Sequence, residues 1–198
     1  MRNHFGKIVA RFAVPVFCLA QAASAQAPPM PSQAASVAVA NPTYVSIAME
    51  VTVNRSAAEV WKRVGKYCDI GEWLQIPCTI ASGKDGEFGA VRSVGGEVLV
   101  GKTEMSYTYT QTVKEGRPYN LYHGTLEARP VTATTSKLVY TLVFDNSMLA
   151  DDAARDRDKT QKAATFTRAL ENMKTLAEGG TLPPPPARGG RGPGGPGR

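Results

Sequence analysis

The chain has 198 residues, is 42% hydrophobic and carries a formal net charge of +6. The surplus sits at its ends, with Arg2, Lys7 and Arg11 at the start and Arg188, Arg191 and Arg198 at the finish. Without those segments the middle is near neutral, which excludes a folded domain that holds nucleic acid or an anionic membrane by its field.

Residues 1–25 read as a secretory signal peptide. Basic residues precede an apolar stretch from Ile8 to Ala20, and Ala23-Ser24-Ala25 is a small-residue cleavage site. The stretch is shorter than the roughly 20 residues that span a bilayer. Cys18 follows the bulky Phe17, which argues against a lipoprotein signal. The expected destination is therefore export, periplasmic or secreted. Residues 26–43 are rich in Ala, Pro and Ser and form a flexible spacer. Residues 44–180 are one domain of ordinary size. Residues 181–198, TLPPPPARGGRGPGGPGR, read as a disordered tail. That basic tail could make weak contact with a membrane or the cell envelope.

Tyr44 to Val53 alternates, with Val45, Ile47, Met49, Val51 and Val53 on one face, as in a half-buried strand. Ser56 and Glu59 make a capping box for a short helix carrying Val60, Trp61 and Val64. Cys68 to Pro77 is a loop or broken turn, and Pro77 forbids helix beyond it. Strands follow over 78–82, 88–94, 97–100, 106–113, 119–129 and 137–144, separated by Gly- and Pro-rich turns such as Gly95-Gly96 and Gly116-Arg117-Pro118. A closing helix starts after Asp151-Asp152, where acidic residues suit the helix dipole, and stops at Gly179-Gly180. Ala163, Phe166, Leu170, Met173 and Ala177 form its apolar stripe, while its first turns are nearly all polar.

Cys68 and Cys78 are expected to pair in an oxidising compartment, two buried free thiols being the alternative. His123 is the only histidine after the signal segment, but period two puts it on the polar face of its strand with Thr125, Glu127 and Arg129. It is not assigned a catalytic role. Zinc spacing, a nucleophile elbow and a phosphate loop are all missing from the sequence, so no metal or cofactor is expected. Asp151, Asp152, Asp156 and Asp158, interleaved with Arg155 and Arg157, read as a solvated helix face.

The remaining candidates are aromatic. Tyr107, Tyr109, Tyr122 and Tyr140 share inward faces with Leu126, Leu142 and Phe144, and Phe166, Leu170 and Met173 cover them from the helix. Tyrosine offers a flat apolar body and one polar tip, which suits a cavity that orients a ligand's hydroxyl or carbonyl. A filled core with hydrogen-bonded phenols is the competing reading. Trp61 is assigned to the core, and Trp73 and Leu74 to a loop at the pocket rim.

Several segments together resemble the START/polyketide-cyclase-like (SRPBCC) superfamily. They are the capped helix with Val60-Trp61, the loop with Trp73, the strand Gly89-Ala90-Val91-Arg92, the run from Tyr122 through Gly124 and Leu126 to Pro130, and the closing helix ending Asn172-Met173-Lys174. The resemblance implies an α+β helix-grip fold. In it, a curved antiparallel sheet of about seven strands wraps a long C-terminal helix, with one or two short helices after the first strand. It also implies a cavity between sheet and helix for a small hydrophobic molecule. The superfamily shares no catalytic set, so no catalytic residue is carried over. The function expected is binding, and possible transport, of a lipid-like or aromatic ligand. The alternatives are a polyketide cyclase or dehydratase and a non-catalytic envelope interaction module.

Overall fold

A computed structural model describes residues 39, 41–113 and 119–185. The segment read as a signal peptide, most of the expected spacer, the turn expected at 116–118 and the residues beyond 185 lie outside the described residues.

The elements run β1 (Tyr44–Val53), α1 (Ala57–Val64), α2 (Ile70–Trp73), β2 (Ile80–Ser82), β3 (Val91–Arg92), β4 (Glu97–Thr103), β5 (Ser106–Gln111), β6 (Tyr122–Pro130), β7 (Ser136–Asp145) and α3 (Asp152–Ala177). The strands form one antiparallel sheet of seven in the order β1-β7-β6-β5-β4-β3-β2. The chain thus meanders from one edge, and the first strand closes the other by pairing with the last, Tyr44 opposite Asp145 through Val53 opposite Ser136. A register shift between Leu99 and Gly101 bends β4 against β5, and a second displaces β2. Such bulges bend and twist a strand, and the resulting curved sheet with its long C-terminal helix is the helix-grip architecture.

Local chemistry sets the helices. Ser56 caps α1, its side chain accepting from the Glu59 N–H while the Glu59 carboxylate reaches back to the Ser56 N–H. The Asp151 side chain caps α3 by accepting from the Ala154 N–H at 2.7 Å. The buried line of α3 is Ala169, Leu170, Met173 and Leu176, so the C-terminal half docks, as its stripe predicts. Ala163, Phe166 and Ala177 are only half-buried. The core collects this line with Val53, Val60, Val64, Leu138 and the inward residues of β5 to β7. Among the described residues no helix is long and apolar enough to cross a membrane.

Two strand boundaries differ from expectation. The 88–94 strand shrinks to Val91–Arg92, because Gly89 at φ 82° turns the backbone and leaves Phe88 exposed. The next strand lengthens to Thr103, since the bulge lets it keep pairing with β5 as far as Ser106. Thr181–Pro185, read as the start of a disordered tail, instead lies against the domain, with Leu182 packed on the core.

Cys68 and Cys78 are disulfide-bonded and bracket α2. Structural disulfides belong to oxidising compartments. Replacing both cysteines by serine is expected to lower stability by about 3 kcal/mol, from the chain-entropy cost of a loop of this length. Urea denaturation of the oxidised protein and the double variant measures the difference, and reductant should shift only the former.

Candidate functional site

The concave face is built from alternate residues of three strands. Tyr107 and Tyr109 on β5, Tyr122 and Leu126 on β6, and Tyr140, Leu142 and Phe144 on β7 are all buried. Leu170 and Met173 cover them from α3. Phe166 is half-buried, its ring 4.5 Å from that of Tyr140. The Tyr109 and Tyr140 hydroxyls meet at 2.9 Å in the middle of this face. Burial pushes the phenol pKa values of Tyr107, Tyr109 and Tyr140 up, so all three are neutral hydroxyls at physiological pH.

A charged pair lies beside the phenols. Arg92 and Glu97 are cross-strand partners on β3 and β4, joined by the tight Gly95-Gly96 turn in which both glycines have positive φ. Only glycine adopts two such angles in succession without steric cost. Arg92 is 0% exposed and Glu97 4%. Arg92 Nε donates to Glu97 Oε2 at 2.6 Å, and Nη1 donates to the Tyr67 carbonyl at 2.6 Å. The guanidinium lies 4.4 Å from the Tyr67 ring centre and 4.7 Å from that of Tyr109. Glu97 also accepts from Gln111 Nε2 at 3.1 Å, and the Tyr67 hydroxyl donates to the Glu97 carbonyl at 2.9 Å.

Arg92 Nη2 stands 2.6 Å from Glu97 Oε2, so the carboxylate meets its charge as well as that of Nε. The interior also holds a polar hydrogen, on the Trp73 indole, that no acceptor meets. Trp73 is 0% exposed and packs edge-on to Tyr140, with ring centres 6.3 Å apart. Unmet buried donors cost about 1–3 kcal/mol each.

Three openings approach this interior. One of about 390 Å³ lies between α1 and the β4–β5 hairpin, walled by Trp61, Tyr67, Leu99 and Tyr107. One of about 350 Å³ lies beneath the first half of α3, walled by Tyr119, Tyr122 and Phe166 with Asp158 and Lys162. The third, about 480 Å³, lies between α2 and α3 and is walled by Trp73, Leu74, Ala169 and Pro183–Pro185. The expected cavity residues are thus divided. Tyr107 belongs to the first opening, and Tyr122 and Phe166 to the second. Tyr109, Leu126, Tyr140, Leu142, Phe144, Leu170 and Met173 pack in the interior.

The two tryptophans both touch the core and an opening. Trp73 is fully buried, its segment held on the core by the disulfide and the short helix α2, and it also walls the third opening beside Leu74. Trp61 is half-buried at the mouth of the first opening. Leu74 is half-buried at the third. Asp158 departs from the solvated acidic face: it pairs with Lys162 and accepts from the Tyr119 hydroxyl, and the Lys162 ammonium sits 4.3 Å from the Tyr119 ring centre. This cluster holds the polar start of α3 against the approach to β6.

The sequence reading missed Arg92 and Glu97. The available signal was period two, which puts Arg92 on the same face as Ala90 and, across a two-glycine turn, opposite an acid. Among the described residues no group of three His, Cys, Asp or Glu side chains could hold a metal ion. His123 lies half-buried on the other face of β6, away from these groups. Burial lowers its pKa below the ordinary 6.5. The unfolded chain then binds more protons below pH 6.5, so this residue's share of stability is full above 6.5 and lost as the pH falls through its lowered value. His123→Gln should flatten that acid limb in urea midpoints measured from pH 8 to pH 5.

The profile of a family described as "Polyketide cyclase / dehydrase and lipid transport" matches residues 44–178. No curated protein is significantly similar in sequence. Among solved structures, the chain is similar to a protein from Thermobifida fusca, at 22% identity and TM-score 0.56 over 69% of this chain and 97% of that one. It is also similar to the Zhui aromatase/cyclase from a Streptomyces species, at 17% identity and TM-score 0.53 over 70% of this chain and 100% of that one. A truncated norcoclaurine synthase from Thalictrum flavum matches at 12% identity and TM-score 0.50 over 70% of this chain and 96% of that one. At these identities the likeness is one of fold.

Proposed function

The chain belongs to the polyketide cyclase/dehydrase and lipid transport family, and on that premise we propose that it binds a small hydrophobic molecule, lipid-like or aromatic, that carries a carbonyl or hydroxyl oxygen. One observation carries the reading: an apolar, phenol-lined interior in which the Trp73 Nε1 hydrogen has no hydrogen-bonded partner. An oxygen brought in by a ligand meets a donor there, while the ligand's apolar body replaces side-chain contacts. Phe166 stands between the opening beneath α3 and the Tyr140 ring.

Native mass spectrometry of protein purified without detergent tests the proposal. A bound molecule, or one-to-one binding of a fatty acid, hopanoid or naphthyl ketone by calorimetry, is the expected result. An empty protein that takes up none of these probes contradicts it.

A second reading, catalysis of cyclisation or dehydration on a carbonyl-rich substrate, draws on the same interior. Arg92, Tyr109 and Tyr140 could polarise a carbonyl, and electrostatic stabilisation of this kind is a large part of acyl and enol chemistry. Burial pushes the pKa of the carboxylate beside them, Glu97, up, but both its oxygens are already engaged, Oε2 by Arg92 and Oε1 by Gln111. Binding is therefore the reading preferred. If turnover is found, Tyr109→Phe and Tyr140→Phe should lower it, and unchanged rates would exclude this site. We also propose export directed by residues 1–25, which the disulfide supports.

A further inference from the structure

We propose that the groove between α2 and α3 is a recognition site for a polyproline segment, and that the chain's own Leu182–Pro185 is held there as a strap that forms one wall of the groove. Consecutive prolines favour the extended polyproline II helix, which has carbonyl acceptors and no N–H donors. A site for such a segment needs apolar slots and at least one side-chain donor aimed at a proline carbonyl. Both are present.

Gln75 supplies the donor, Nε2 to the Pro183 carbonyl at 2.6 Å. Its backbone has φ 54°, the one positive value at a non-glycine position among the described residues. That conformation is costly for a residue with a side chain and persists where surrounding contacts hold it. Here Gln75 N–H donates to the Glu72 carbonyl and Ile76 N–H to the Gly71 carbonyl, which fix the turn and present the amide outward. Leu74, Ile76 and Ala169 line the apolar side of the groove. Asn172 Nδ2 donates to the Trp73 carbonyl at 2.9 Å and ties α2 to α3, so the two walls keep their separation.

The chain is delivered to the groove by the end of α3. Gly179 at φ 89° reverses the backbone, and Gly180 N–H donates to the Thr175 carbonyl at 2.8 Å. The next residues are thereby sent back along α2, where Leu182 packs on the core before the prolines begin. The segment acts as a strap across the helix that carries Trp73. This inference does not depend on what the interior binds.

The experiment uses the full chain with Pro183→Ser, Pro184→Ser and Pro185→Ser together, changes that touch no core position. A synthetic Thr-Leu-Pro-Pro-Pro-Pro peptide should bind this variant at least about tenfold more tightly than the wild type, whose tethered Pro183 already takes the Gln75 amide. Adding Gln75→Glu, which keeps the length but removes the donor, should weaken peptide binding about tenfold, the value of one hydrogen bond. Amide exchange at Gln75 and Ile76 should be faster in the triple variant than in the wild type. Absence of peptide binding with unchanged exchange overturns the proposal. So does a wild-type dimer that the triple substitution dissolves, because the strap would then pass between copies.

Discussion

Arg92→Met is expected to destabilise the fold by about 3–5 kcal/mol, the cost of leaving one member of a buried ion pair without its partner. Glu97 is 4% exposed. With Arg92 gone it keeps only Gln111 as a side-chain donor, and the Tyr67 carbonyl loses its guanidinium hydrogen. The double variant Arg92→Met with Glu97→Met should regain most of the loss, because buried pairs replaced by apolar groups of similar volume are often neutral or better. Chemical denaturation of the two single variants and the double variant closes the cycle. A single variant near wild-type stability would mean that the pair is hydrated and that the interior is not dry. The double variant has a second use: it keeps the apolar volume and removes the guanidinium, so lost ligand binding in a stable protein points to Arg92 as a recognition group.

Gly124→Ala should cost about 2–4 kcal/mol, combining overpacking of a closed core with a disturbed buried hydrogen bond. Gly124 lies directly opposite Tyr109 in the β5–β6 register. A Cβ at 124 would stand 2.4 Å from the Tyr109 Cζ and hydroxyl oxygen. The phenol cannot step aside freely, since it is fully buried and bonded to Tyr140. The glycine thus makes room for the ring that places a hydroxyl at the centre of the concave face. In the background of Tyr109→Ala the same substitution should be nearly harmless, and equal costs in both backgrounds would show that the ring and the glycine are uncoupled. Thermal unfolding of the four proteins decides.

Much of the architecture is legible in the sequence because it is written in periods. The alternation in β1, β6 and β7 and the stripe of α3 follow directly from which side chains must leave water. The Ser56–Glu59 capping box is a local device that needs no tertiary help. The site is less legible. A buried arginine defeats any reading that sends charge to the surface, and only its partner five positions on, across a two-glycine turn, discloses it. Trp73 sits on a helix of four residues, too short for a period to show which way it faces. The strap was hidden for a related reason: Pro- and Gly-rich composition says that a segment cannot form a core, not that it cannot lie on one.

The central claim is that the Trp73 indole hydrogen inside the protein meets an oxygen brought in by a ligand. The chain has two tryptophans, so its proton–nitrogen spectrum carries two indole resonances. Titration with a naphthyl ketone should move the Trp73 indole proton downfield as it gains an acceptor, and move that of Trp61, at the mouth of another opening, much less. A spectrum in which the Trp73 resonance stays fixed while the ketone saturates the protein contradicts the account.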